Sequence, residues 1–279
     1  MFGELDGFSP STQIVVYLPQ GVDATQLTPE PTSTYDDRVQ LMLQPDSPIV
    51  LIEVGTKERV PFFAELDANA LAGQRQALLI HPMVRLKNAS RYAVALRTSL
   101  RDASGHALAP EGQFADWVHG KLDSSEPLYE ISDRLNAAAA AFAAVGIPKS
   151  DLALAWDFGT ASDASTTGEL TQMVKQALSV PAGSLGYTVD SAQPDATNFP
   201  NALKVVIGTF QSPSFESGPD PSAINYDSTH TPVMGAPADW RFVAVVPKCV
   251  ATAPGPVPLL ILGHGLFGTA WGELSDDDK

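Results

Sequence analysis

The chain has 279 residues, 44% hydrophobic and 18% charged, a globular composition long enough for one to two domains with a sizeable core. Its 17 Lys+Arg against 32 Asp+Glu give a net charge of −15. That balance argues against a nucleic-acid partner, since no basic stripe is available to displace counterions, and disfavours docking on anionic lipid.

In chain order, the first hundred residues predict short strands separated by turn signals. Ile14–Leu18 is apolar and β-branched, and Arg38–Leu43 follows a Pro/Thr/Ser/Asp loop. Ile49–Val54 and Arg59–Ala64 flank Gly55-Thr56-Lys57-Glu58 as a hairpin. Ala77–Ile80 stops at His81-Pro82. Tyr92, Val94 and Leu96 alternate with Ala93, Ala95 and Arg97, which predicts a strand with one buried face. Arg101–Gly105 is a turn. Regular short strands of this kind predict a β-sandwich.

The pattern changes at Ser124. Ser125-Glu126-Pro127 reads as a cap with Pro in the first turn, opening an Ala-rich helix to Val145 that Gly146 and Pro148 end. Leu152–Ala161 returns to strand character. A second helix opens at Thr166, with Glu169 completing a capping box, and runs to about Ser179. Pro181–Pro200 is mostly loop with a short strand near Tyr187. Leu203–Phe210, Arg241–Val246 and Leu259–Leu262 are the last strand candidates, and the long loop 211–239 separates the first two. The last is a continuous apolar run, Val257–Leu262, predicted to be buried on both faces. It stops in Gly263-His264-Gly265, a turn of little bulk where backbone N–H groups approach a ligand closely. Stabilising an oxyanion needs that geometry.

Two stretches resemble known families. Leu86–Leu96 followed by Leu100–Leu108 resembles bacterial Ig-like domains of the surface-layer and adhesin type. Those domains end in a Trp-x-Phe-x-Thr strand, matched here by Trp156-Asp157-Phe158-Gly159-Thr160 about 45 residues late. The resemblance implies a helical insertion, about 121–150, before the last strand of the sandwich. The stretch from Gly208 to Gly268 is similar to bacterial lipase-like α/β-hydrolases that carry such an N-terminal domain. In that fold an antiparallel pair precedes a buried strand ending in His-Gly-x-x-Gly, here His264-Gly265-Leu266-Phe267-Gly268. The resemblance implies that oxyanion donors come from the backbone N–H of Leu266, with Phe267 beside it. The family's Gly-x-Ser-x-Gly elbow follows this turn, and the sequence holds no such pentapeptide. Ala182-Gly183-Ser184-Leu185-Gly186 comes closest, but it starts with Ala and precedes the turn, so Ser184 reads as a decoy.

Other chemistry-bearing residues carry bland readings. His264 is expected to orient the turn rather than serve as a base. His81, His106, His119 and His230 make no metal-ligand spacing, and no zinc or other metal site is expected. Asp276–Asp278 is read as a solvated acidic stretch, and Asp220, Asp227 and Asp239 as turn chemistry. Trp117, Trp156 and Trp240 are expected in cores. Cys249, the only cysteine, has no catalytic context and rules out an internal disulfide.

The sequence thus predicts a mixed, β-rich fold in three parts. Residues 1–163 form an Ig-like β-sandwich with a helical insertion, 164–200 a helix and linker, and 201–279 the first strands of an α/β-hydrolase sheet. The expected function is the N-terminal portion of a lipase- or esterase-like serine hydrolase, inactive alone, with no catalytic residue of its own and no cofactor. Its substrate is a small-molecule or lipid ester, and no nucleic acid and no membrane span are expected. The alternative is a non-enzymatic Ig-like binding module. Met1–Asp6 shows no signal peptide; an extracellular, periplasmic or cell-surface location rests on the Ig-like resemblance. A hydrolase sheet cut short after Leu259–Leu262 leaves an apolar edge exposed, which predicts self-association.

Overall fold

The computed structural model describes residues 5–28, 38–71, 74–195, 197–218, 223–263 and 268–274. They fall into two compact units, Met1–Thr167 and Gly168–Lys279. Both are β-rich, with three small antiparallel sheets among the described residues.

The first unit holds strands β1 (Ile14–Val16), β2 (Ile49–Glu53), β3 (Phe62–Leu66), β4 (Leu78–Pro82), β5 (Arg91–Arg97) and β6 (Leu152–Gly159). They form two sheets, ordered β1-β4-β3 and β2-β5-β6. Ile14, Phe62, Ala64, Leu78 and Ile80 of one meet Ile49, Leu51, Tyr92, Val94, Leu96 and Phe158 of the other in the main core. The second sheet is covered on its other face too. There Val50, Ile52, Ala93 and Ala95 pack with Phe114 and Trp117 of helix α2 (Gly112–Val118) and Leu135, Ala138, Ala141 and Phe142 of helix α3 (Ser132–Ala144).

This corrects the one-faced reading of β5, which is buried on both sides. Large side chains at 92, 94 and 96 fill the sandwich. Alanines at 93 and 95 lie in one cluster with the alanines of α3, whose backbone comes close to the sheet at neighbouring β6. The helical cover also begins earlier than predicted, at Gly112. The periodicity missed α2 because seven residues carrying only two buried side chains make almost no pattern.

Arg38–Leu43 is helix α1, not a strand. A period of two would bury Leu41 and expose Met42, whereas Met42 is buried and Leu41 is exposed. Its Arg, Gln, Leu and Met are good helix formers. The predicted hairpin around Gly55–Glu58 closes locally, through Glu53 N–H to Glu58 O (3.0 Å) and Val60 N–H to Leu51 O (2.9 Å). Beyond it the two strands join different sheets, and Pro61, which has no N–H for a ladder, stands where they part.

The predicted helix to Val145 is a 3-10 turn, Pro127–Ile131, running into α3. Gly146 ends it in the left-handed region at φ 85°. The cap differs from the prediction: Asp123 accepts from Ser125 N–H (2.9 Å), and Glu126 accepts from Asp123 N–H (2.9 Å).

The second unit contains most of helix α4 (Asp163–Ser179), then strands β7 (Tyr187–Gln193), β8 (Ala202–Ser212) and β9 (Ala238–Pro247) and the short helix α5 (Ala270–Leu274). α4 starts three residues before the predicted Thr166, because Ser162 Oγ accepts from Ser165 N–H (3.1 Å). The strands form one antiparallel sheet, β7-β8-β9. Phe199, Ala202 and Val205 make a small core with Ile207, Val243, Val245, Trp271 and Leu274. Trp240 is not in it. It pairs across the ladder with Phe210, alternates away from Val243 and Val245, and is 46% exposed. Gly208 in mid-β8 leaves room for the Phe242 ring: a Cβ there would lie 2.7 Å from ring carbon Cε1 and 2.2 Å from Thr188 O.

Candidate functional site

The residues predicted to hold an oxyanion, His264, Gly265, Leu266 and Phe267, lie outside the described residues. What surrounds them in sequence is described. The antiparallel pair β8–β9 forms in register from Ala202 opposite Pro247 to Ser212 opposite Ala238. A 3-10 turn, Lys248–Thr252, follows it. Gly268 is half-buried, and two residues later α5 begins. Thr269 Oγ1 accepts from Gly272 N–H (3.0 Å), and Trp271 meets Phe199 edge-on at 5.2 Å, anchoring the chain after the turn in the small core.

The run before the turn departs from expectation. Leu259–Leu262 forms no strand, and Leu259, Leu260 and Ile261 are 84%, 85% and 86% exposed. The physical reason is pairing. A strand buried on both faces needs neighbours in the sheet and cover on each side, and no described strand lies alongside this one. Pro254, Pro256 and Pro258 just before it lack the N–H groups a ladder needs.

Ser184 ends a 3-10 turn, Ala182–Ser184, and its Oγ donates to Pro181 O (2.8 Å). No histidine is placed to take its proton in any described hydrogen bond or ion pair. Cys249 is exposed in the turn after β9. Among the described residues no group of three or more His, Cys, Asp or Glu is placed to hold a metal ion, and no helix is long and apolar enough to cross a membrane.

The histidines sit apart. His106 lies 3.5 Å from Asp102, whose carboxylate also accepts from the N–H groups of Ser104 and His106. Those bonds, led by that from the His106 backbone, hold the Asp102 carboxyl below its ordinary range. His81 stacks on Phe63 at 4.4 Å, with Nε2 3.2 Å from Glu65.

His230 belongs to a polar cluster that sequence reading missed. It stacks on Tyr226 at 4.2 Å, Tyr226 donates to Glu169 Oε2 (2.9 Å), and His230 Nε2 stands 4.0 Å from Glu169 Oε1. Gln176 adds a two-point clasp, donating to Pro232 O (2.6 Å) and accepting from Met234 N–H (3.0 Å). Asp227 gathers the turn between through Thr229 N–H (2.8 Å) and Thr231 N–H (3.0 Å). The cluster ties the long loop to α4. A carboxylate, an imidazole and a phenol are present, but the nearby hydroxyls are committed: Thr229 Oγ1 donates to Asp227 at 2.7 Å. The loop spacing gave no signal for this, because Glu169 and Gln176 lie 57 and 56 residues from their partners Tyr226 and Pro232.

A shallow cavity of about 350 Å³ opens at one end of the β7-β8-β9 sheet, lined by Tyr187, Thr188, Thr209, Gln211 and Asp239. It holds no histidine and no nucleophile paired with a base. Neither the known protein families nor the curated proteins contain a match to this chain.

Proposed function

We propose that this chain carries the oxyanion-binding portion of a serine carboxylic-ester hydrolase of the α/β type, preceded by an Ig-like sandwich. One observation carries the reading: an antiparallel pair, β8–β9, feeds an apolar run that ends in Gly263-His264-Gly265. In this chemistry a Ser attacks the acyl carbonyl of a small-molecule or lipid ester and a His takes its proton. The N–H of Leu266, with that of Phe267, holds the tetrahedral oxygen. No Gly-x-Ser-x-Gly pentapeptide to supply that Ser occurs in the sequence.

Support for the Ig-like reading is topological. The orders β1-β4-β3 and β2-β5-β6 are those of a constant-type sandwich without its first strand. Phe8 adds a parallel bridge beside Thr160. Tyr92 starts the strand that would be the sixth of such a sandwich, and its hydroxyl accepts from Lys87 N–H (2.9 Å), five residues upstream, as in a tyrosine corner. α2 and α3 then form the insertion before the last strand. Such sandwiches suit an extracellular, periplasmic or cell-surface protein.

The test is enzymatic and genetic. The 279 residues should show no turnover of p-nitrophenyl esters, and a rate abolished by Ser184→Ala overturns the assignment. The reading frame beyond codon 279 should encode Gly-x-Ser-x-Gly within roughly a hundred residues. In that longer protein, Leu266→Pro, which deletes one N–H, should lower kcat about 100-fold with little change in KM. A second reading, a non-enzymatic binding module, is favoured by the absence of any nucleophile–base pair among the described residues. An early stop codon and no ester turnover by the natural protein would select it.

A further inference from the structure

We propose that the cavity beside His81 is a subsite for a neutral sugar ring. The inference is independent of the ester-hydrolase reading, since every residue it uses lies in the first unit, between Ser11 and Pro82. Strand alternation buries Phe62, Ala64, Leu78 and Ile80 in the sandwich core and turns Phe63, Glu65 and His81 to the outer face of their sheet. There His81 is held from two sides. It stacks on Phe63, its neighbour across the ladder, at 4.4 Å and 6° between ring planes, and its Nε2 stands 3.2 Å from Glu65 Oε1. β4, which carries it, is the central strand of its sheet. An imidazole fixed by packing and by an acid, on a paired strand, is pre-organised for a ligand.

The cavity beside it, of about 370 Å³, is lined by Ser11, Thr12, Gln13, His81 and Pro82. That lies near the lower end of the roughly 300–1,000 Å³ range of small-molecule sites and suits one or two sugar rings. The lining chemistry selects the ligand. It contains no carboxylate, ammonium or guanidinium group. Among the described residues, Ser11 Oγ, the Gln13 amide and His81 Nδ1 make no hydrogen bond. Thr12 Oγ1 donates to Gln13 O (3.3 Å) and keeps its lone pairs. Hydroxyl and amide groups both donate and accept, which matches ligand hydroxyls that do the same; an oxyanion calls for donors alone and a cation for acceptors alone. The Glu65 carboxylate favours a proton on Nε2, which leaves Nδ1 to accept from a ligand hydroxyl. The Pro82 ring supplies apolar surface for the C–H groups of a pyranose. A net charge of −15 repels acidic glycans and so narrows the class to neutral ones.

Titration of the isotope-labelled full chain with cellobiose, maltose, lactose and diacetylchitobiose, followed by amide NMR shifts, tests this. At least one sugar should move the Ser11, Thr12, Gln13 and His81 amides saturably, with Kd on the order of 1 mM. Ser11→Ala and Gln13→Ala, both outside the strands, should each weaken binding about 2–10-fold. His81→Phe keeps a ring on Phe63 but removes Nδ1, and should weaken it by a similar factor. Gln211→Ala, in the cavity of the other unit, should bind as the parent does. Inorganic phosphate and tetramethylammonium should leave the same amides unmoved. No saturable shift with any of the four sugars, shifts that avoid residues 11–13 and 81, or an affinity indifferent to all three first-unit substitutions overturns the proposal. So does either ion moving those amides at lower concentration than every sugar.

Discussion

Gly208→Ala reverses the usual sign of a glycine replacement. In a strand, Gly→Ala ordinarily stabilises by about 0.5–1 kcal/mol. At Gly208 the new methyl would lie 2.2 Å from Thr188 O and 2.7 and 2.8 Å from two carbons of the Phe242 ring. The oxygen belongs to the β7 ladder, so either β7 moves away or β8 bends. The ring must leave its place beside Phe210, 6.3 Å away. Overpacking costs about 1–3 kcal/mol and the lost ring pair about 0.5–1.5 kcal/mol, which at mid-range outweighs the gain and leaves a net loss of about 2 kcal/mol. Hydrogen exchange read by mass spectrometry should show β7–β9 amides opening roughly 30-fold more often, with β5–β6 unchanged. Gly159→Ala is the control: nothing lies within 4 Å of its Cβ position in β6, so it should be neutral or stabilising by about 0.5 kcal/mol. A Gly208→Ala protein as stable as its parent refutes the packing argument.

Three further outcomes are expected. Asp157, whose side chain is 2% exposed, binds both Arg91 and Arg134. Asp157→Ala leaves two half-exposed guanidinium groups that rehydrate, so urea unfolding of the first unit should show a loss of about 2 kcal/mol, below the 3–5 kcal/mol of a fully buried pair. Tyr92→Phe keeps the ring packing but orphans Lys87 N–H, and should cost about 1 kcal/mol in the same assay. Asp227 has its carboxyl held below the ordinary value of 3.8, first by Thr231 N–H and then by the Thr229 hydroxyl and N–H. A depressed folded value means its hold on the 227–231 turn is complete above that ordinary value and is lost as pH falls through the folded one. The amide shifts of Thr229 and Thr231 should therefore titrate below pH 3.8; a midpoint at or above it contradicts the bonding described.

The β-rich class was legible because β2, β5, β6, β8 and β9 carry alternation or apolar runs that backbone pairing then uses. α3 was legible from its alanines and its Gly146 stop. Apolar content alone misled at two places. Arg38–Leu43 alternates on paper, yet Met42 is buried in the core and Leu41 is exposed. Leu259–Leu262 has the composition of a buried strand, but burial is a property of neighbours, which a run of residues does not bring with it. The clamp on Asp157 and the Tyr92 hydroxyl bond were illegible for a related reason. Asp157 and its partner Arg91 stand 66 residues apart in the chain, brought together only by the β5–β6 ladder. Of the candidate site, the framing pair β8–β9 was read correctly, and the turn at 264–267 falls outside the described residues.

The two helices between β5 and β6 bear on any attempt to trim the first unit. Joining those strands by a tight turn would look harmless, since β5 and β6 pair directly in one ladder. It would also strip the roof from Val50, Ile52, Ala93 and Ala95. Leu152 and Ala155 of β6 lose the same cover, so a minimised version calls for polar replacements across that whole face, and without them shortening the loop trades one domain for an aggregate.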